Sequence, residues 1–163
     1  MKNVQRALLA AGLIASTGAL GTVITATFQV QATVNKECTV SAVNLTFPAD
    51  DPVNTQNDGS TTVTVNCTKN TTYTVGLTAG TTTGATIAQR LMASGTDLMN
   101  YNLYTDAARS SVWGNSAGSW VSGTGAGMGT PQALTVYGRV AGGQTKLVAA
   151  TYTEAAITVN VTF

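Results

Sequence analysis

Two stretches of strict apolar–polar alternation constrain this chain more than any other feature. Near one end, Ile157, Val159, Val161 and Phe163 alternate with Thr158, Asn160 and Thr162. Near the other, Ile24, Ala26, Phe28, Val30, Ala32 and Val34 alternate with threonines and glutamines. Successive side chains of a strand point to opposite faces, so each stretch has one oily face and one wet face. Neither stretch sits inside a hairpin. Each is expected to be a strand near a chain terminus, which is free to leave its own domain and complete another.

The composition agrees with strands. Charged residues are only 9% of the 163, against about a quarter in ordinary soluble domains. Threonine and valine, both strand formers, dominate together with alanine and glycine. The length allows one domain with a sizeable core. At the start, Lys2 and Arg6 frame a short positive region, an apolar run covers 7–15, and small residues follow through Ala19 and Gly21. That is the layout of a secretory signal peptide, and the apolar run is too short for a membrane span. Cleavage is expected after Gly21. Ala19 is the next candidate, and Ala26 ranks last because a cut there would remove half of the first alternating strand.

Export sets the reading of charge and cysteine. Of the eight basic residues, Lys2 and Arg6 leave with the signal, so six face seven acidic ones. No basic field remains to hold nucleic acid or an anionic membrane. Cys38 and Cys67 are the only cysteines, and in an exported protein such a pair reads as a disulfide. Closing that loop would stabilise by about 3–4 kcal/mol on the chain-entropy account.

Along the chain, residues 38–40 and 43–47 read as strand. Residues 48–59 form a polar loop. Residues 61–67 form a strong strand with Val63, Val65 and Cys67 on its inner face. A turn at Lys69 and Asn70 leads into 73–77, and the two runs read as a hairpin. Residues 79–85 form a loop and Arg90 opens a further strand. Tyr101 and Leu103 share one face of the next, with Tyr104 opposite. Residues 106–109 make a turn carrying a local Asp106–Arg109 ion pair. Residues 123–129, rich in glycine, read as the most flexible surface loop. Residues 134–140 are a strand, and 141–144 turn the chain toward the last one. Seven or eight strands with turns at this spacing, and no sustained helical period, specify an all-β sandwich.

Candidate chemistry is sparse. The chain has no histidine, which excludes the histidine-based nucleophilic arrangements and leaves a metal site short of ligands. Asp50, Asp51 and Asp58 are a weak calcium arrangement whose spacing fits no calcium loop; a solvated loop is the favoured reading. The glycine-rich run lacks the Lys-Ser/Thr of a phosphate loop. Trp113 and Trp120 are read first as packing residues and second as a sugar-binding face. No cofactor and no enzymatic activity are expected.

Tyr101, Leu103, Tyr104, Asp106, Ala107, Ala108 and Arg109, followed by Trp113-Gly114-Asn115, resemble the spore coat protein U family. Cys38-Thr39-Val40 and the closing Val159 to Phe163 add to the resemblance. That family includes the shaft subunits of archaic chaperone–usher pili. The resemblance implies an immunoglobulin-like β-sandwich lacking its final strand, completed by donor-strand exchange. It divides the chain into a signal peptide (1–21), an N-terminal donor strand (22–36) and an incomplete pilin domain (37–163). It implies that a periplasmic chaperone first fills the groove beside the last strand, and that a second copy's N-terminal strand replaces it at an outer-membrane usher. Ile24, Ala26, Phe28, Val30, Ala32 and Val34 are then donor side chains. Ile157, Val159, Val161 and Phe163 form one wall of the acceptor groove, and Cys38 and Cys67 match the family's disulfide positions. Two alanines fill pockets poorly, which leaves the donor register open.

The function expected is a structural subunit of an extracellular, cell-surface fibre for attachment and biofilm formation. It would be exported through the periplasm and polymerised head to tail with copies of itself, with no nucleic acid or small-molecule substrate. The alternatives are a monomeric secreted carbohydrate-binding module, with Trp113 and Trp120 in its site, and a spore-coat structural protein.

Overall fold

The computed structural model describes residues 21–48 and 55–163. The expected signal peptide up to residue 20, and Asp50 and Asp51, lie outside the described residues. The chain divides after Thr33.

Residues 21–33 carry no strand, and Val23, Ile24, Phe28 and Val30 are exposed. The alternation there was expected to make a strand. Alternation gives a segment the side chains of a strand, but the element itself is made by backbone hydrogen bonds to a neighbour.

From Val34 onward the described residues build eight strands and no helix. They are β1 (Cys38–Ala42), β2 (Asn57–Cys67), β3 (Thr72–Leu77), β4 (Arg90–Ser94), β5 (Asp97–Tyr104), β6 (Val121–Thr124), β7 (Gln132–Val140) and β8 (Val159–Thr162). A large sheet runs in the order β1-β2-β7-β5-β4, and a small one in the order β6-β3-β8. Every pairing is antiparallel. The two sheets face each other as a sandwich.

Period two decides what each sheet buries. Val63, Val65 and Cys67 of β2, Val136 and Val140 of β7, and Tyr101 and Leu103 of β5 point inward from the large sheet. Tyr73, Val75 and Leu77 of β3 meet them from the small one. Trp113, from the loop after β5, completes the core at 1% exposure. Its indole N–H donates to Val75 O at 2.8 Å, so the ring is buried without stranding its polar atom. Cys38 and Cys67 are bonded to each other, across a register pair of β1 and β2.

Several local expectations are corrected. β2 and β3 do not form a hairpin, because they lie in different sheets. A hairpin would set their two apolar faces side by side on one surface; the sandwich sets them face to face and buries both. The link turns at Asn70, which takes a left-handed φ of 64°. The glycine-rich run is not loose. Its first residues end β6, Gly125 N–H donates to Thr71 O, and Gly127 N–H donates to Cys67 O. Residues 43–47 do not form a strand. They cross the inner side of the large sheet at the paired glycines Gly59 and Gly138. A Cβ on Gly59 would stand 3.1 Å from Leu45 Cδ1 and 3.2 Å from Phe47 Cδ1. The glycine pair is therefore a notch that receives these two side chains.

The expected Asp106–Arg109 ion pair is not made either. The Asp106 carboxylate accepts the N–H groups of Ser110 and Ser111 and closes its own turn. Those bonds, Ser111 first, lower its pKa. Arg109, at a φ of 59°, turns away and pairs with Asp58 at 3.3 Å. Asp58 also takes a two-pronged hydrogen bond from its register partner Arg139, at 2.7 and 2.9 Å. That bond, with the Arg109 charge, lowers the Asp58 pKa against the opposing effect of burial. Asp58 is thus engaged by arginine rather than held free for a cation.

Candidate acceptor groove

Strand β8 has β3 on one side and no strand on the other among the described residues. An unpaired strand edge presents free N–H and C=O groups to whatever lies beside it. The start of β8, at Val159, borders an open cleft of about 1230 Å³, and β1 also comes close to this strand.

The cleft is lined largely by side chains of the hydrophobic core, most of them almost wholly buried. The large sheet supplies Val63, Met92, Met99, Tyr101, Leu103, Val136 and Val140. Leu77 of β3, Val159 of β8 and Ile157 just ahead of β8 face them. Two rims flank this apolar interior, residues 42–48 and residues 147–156.

The first rim is held by a few hydrogen bonds rather than a ladder. Val43 N–H donates to Thr62 O at 3.0 Å, the Thr61 hydroxyl donates to Val43 O at 2.7 Å, and Asn57 Nδ2 donates to Pro48 O at 2.6 Å. Leu45 and Phe47 fix it to the glycine notch.

The second rim is pinned mainly by Glu154. Its carboxylate accepts Thr81 N–H at 2.8 Å, the Thr81 hydroxyl at 2.6 Å, Thr82 N–H at 3.0 Å and Ala156 N–H at 3.1 Å. Burial raises its pKa, but these hydrogen bonds together outweigh burial and hold it down at about 2. The neighbouring Gly80 takes a φ of 103°, and a Cβ there would stand 2.6 Å from Glu154 Oε2. Thr153 exchanges two 3.0 Å backbone bonds with Ala93 of β4, which ties the same rim to the large sheet.

Arg90 and Tyr101 are among the polar side chains buried around this interior. Arg90 is wholly buried, which lowers its pKa to about 10. It remains a cation at neutral pH and donates to the carbonyls of Leu77, Thr78 and Trp113 and to Asn102 Oδ1. Tyr101 has its pKa raised, by burial first and by the Glu154 charge second. It stays a neutral phenol.

The expected wall residues fall in three places. Ile157 and Val159 line the cleft. Val161 packs against the hydrophobic core. Phe163 is 53% exposed and borders a separate shallow depression with Trp120 and Thr162. Trp113 and Trp120 are not brought together: the first is core and the second is 39% exposed. The two rims were not foreseen as walls. The alternation of Val43, Leu45 and Phe47 was the available signal for one. For the other, Glu154 stands alone in sequence, and nothing local marks it.

The family model of the Spore Coat Protein U domain matches residues 24–162. No curated protein matches the chain. Among solved structures, the chain is similar to one from the crystal structure of the chaperone–tip adhesion subunit pre-assembly complex of the archaic chaperone-usher Csu pili of Acinetobacter baumannii. The TM-score is 0.60 at 23% identity, over 80% of this chain and 41% of that one. The likeness is one of fold, and this chain spans about two fifths of the length of the solved chain.

Proposed function

The chain belongs to the Spore Coat Protein U domain family, and from that premise we propose that it is a structural subunit of a chaperone–usher-type surface fibre. Each copy inserts its segment 22–36 into the cleft of the next. The observation that carries this reading is the apolar cleft beside the unpaired edge of β8.

The physics of strand addition fits both partners. An entering strand would hydrogen-bond along the β8 edge and bury alternate side chains in the cleft. Ile24, Ala26, Phe28, Val30, Ala32 and Val34 are the donor side chains; Ile157 and Val159 face them, with Val161 and Phe163 farther along the chain. Burying four to six such side chains contributes on the order of 10 kcal/mol at ~1.5–3 kcal/mol per large residue. That gain must exceed the entropy of ordering the segment. Donor and acceptor surfaces differ, so the contact is head to tail and builds open filaments.

A periplasmic chaperone would hold the cleft before assembly, and an outer-membrane usher would be the place of exchange. The product is a non-catalytic, cell-surface fibre serving attachment and biofilm formation. Protein purified from cells should run as detergent-resistant ladders or filaments. Phe28→Asp should abolish them while leaving the subunit folded and chaperone-held. Normal fibres from that variant would show that Phe28 is not a donor side chain.

A further inference from the structure

Tyr101 occupies the most exacting position in the cleft. It stands on the inner face of β5, among the side chains that line the cleft, and is 6% exposed. Its hydroxyl is buried and has no hydrogen-bond partner among the described residues. The neighbours do not supply one. Phe47 meets the ring edge-on with centroids 6.4 Å apart. Arg90, its register partner on β4, already donates to three carbonyls and one amide oxygen. The Glu154 carboxylate already accepts four donors.

A buried hydroxyl without a partner destabilises the subunit that carries it, and phenylalanine would pack the same space without that cost. The rest of the interior leaves few polar atoms unsatisfied, so the tyrosine calls for a partner outside the subunit. The donor segment offers one. Its inward-facing side chains include two alanines, Ala26 and Ala32, between larger ones. Opposite an alanine, the entering main chain can come close to the ring, and the phenol meets it once the side chains now covering the hydroxyl give way.

We infer that Tyr101 sets the register of the inserted strand, its hydroxyl donating to a main-chain carbonyl of the second copy's segment 22–36 beside one of that segment's alanines. This rests on the strand-insertion reading above and deepens it. The phenol is neutral at working pH, as a donor to a carbonyl must be. A shift by two residues would put a large side chain against the ring and leave the hydroxyl without its acceptor, so the contact selects one register.

The test is the full chain titrated with a labelled peptide of residues 22–36 and followed by fluorescence anisotropy, with thermal unfolding of the same samples. Y101F is expected to leave the subunit as stable as the parent or more so, yet to weaken peptide binding about fivefold to tenfold. A peptide with leucine at both alanine positions should also bind the parent more weakly. Y104F, on the opposite face of β5, serves as the control and should bind as the parent does. Equal binding by Y101F and the parent overturns the register role while leaving strand insertion intact. Failure of the parent to bind the peptide at all overturns strand insertion, and the register role with it.

Discussion

At the residue scale, a single carboxylate makes the main side-chain anchor of one side of the cleft. Glu154 joins the rim 147–156 to the loop at Gly80 through three accepted hydrogen bonds, accepts a fourth from Ala156 within the rim, and only glycine leaves room for it there. Its folded pKa of about 2 lies below its ordinary 4.5. A carboxyl depressed on folding contributes its full stability above its unfolded pKa and loses it as pH falls through the folded one. Glu154→Gln should therefore cost about 1–3 kcal/mol at pH 7 by denaturant titration. The gap between parent and variant should close as pH drops from 4.5 toward 2. A gap that stays constant across that range would show that shape, not charge, holds the rim. Asp58 is depressed in the same direction by Arg139 and Arg109, so its contribution is lost in acid as well. The disulfide is a second residue-scale anchor. Cys38→Ser should lower stability by about 3–4 kcal/mol and reduce subunit abundance in cells. Unchanged abundance would count against a stabilising bridge.

At the element scale, the informative segment is the one that failed to become a strand. Residues 43–47 have the alternation of a strand but cross the large sheet without a ladder. Leu45 and Phe47 sit in the gap left by two facing glycines. Gly138→Ala would push a methyl group into both side chains and lift this rim. It should destabilise the subunit by about 1–3 kcal/mol, as overpacking does. It should also change the affinity for a peptide of residues 22–36. A calorimetric midpoint equal to the parent's would mean that the rim does not depend on the notch. β8 makes the complementary point. It is short, it pairs with one strand among the described residues, and its start at Val159 borders the apolar cleft. Proteins usually blunt such an edge with charge, proline or a bulge; β8 carries only Val159, Asn160, Val161 and Thr162.

At the scale of the whole molecule, the sandwich is complete where it touches the disulfide, Trp113 and Arg90, and open where β8 faces the cleft. The closed part is over-determined. Arg90 takes its place by donating to three backbone carbonyls, and Trp113 by donating to a fourth. On the strand-insertion reading, a subunit so built would gain stability when a second copy's segment fills the cleft. Its thermal midpoint should rise with added peptide of residues 22–36, by an amount that grows with peptide concentration.

Side-chain direction along a strand is local, and it was legible in the sequence. Val63, Val65 and Cys67 face inward because alternate residues must share a face. The cysteine pairing and the all-β sandwich of the described residues follow from residue types and turn spacing, although β6 was not expected and residues 24–34 form no strand. Which strands pair is not local. Residues 61–67 and 73–77 look like a hairpin in sequence, yet they lie in opposite sheets because only that arrangement buries both apolar faces. Asp106 and Arg109 look like a pair three residues apart, yet each finds a better partner, one in its own turn and one across the sheet at Asp58. The rims of the cleft belong to the same class. Glu154 meets Thr81 and Gly80 only after the chain has passed through four more strands. Sequence fixed what each residue offers, and tertiary packing chose which offers were taken, because hydrogen bonds and burial reward contacts regardless of their distance along the chain.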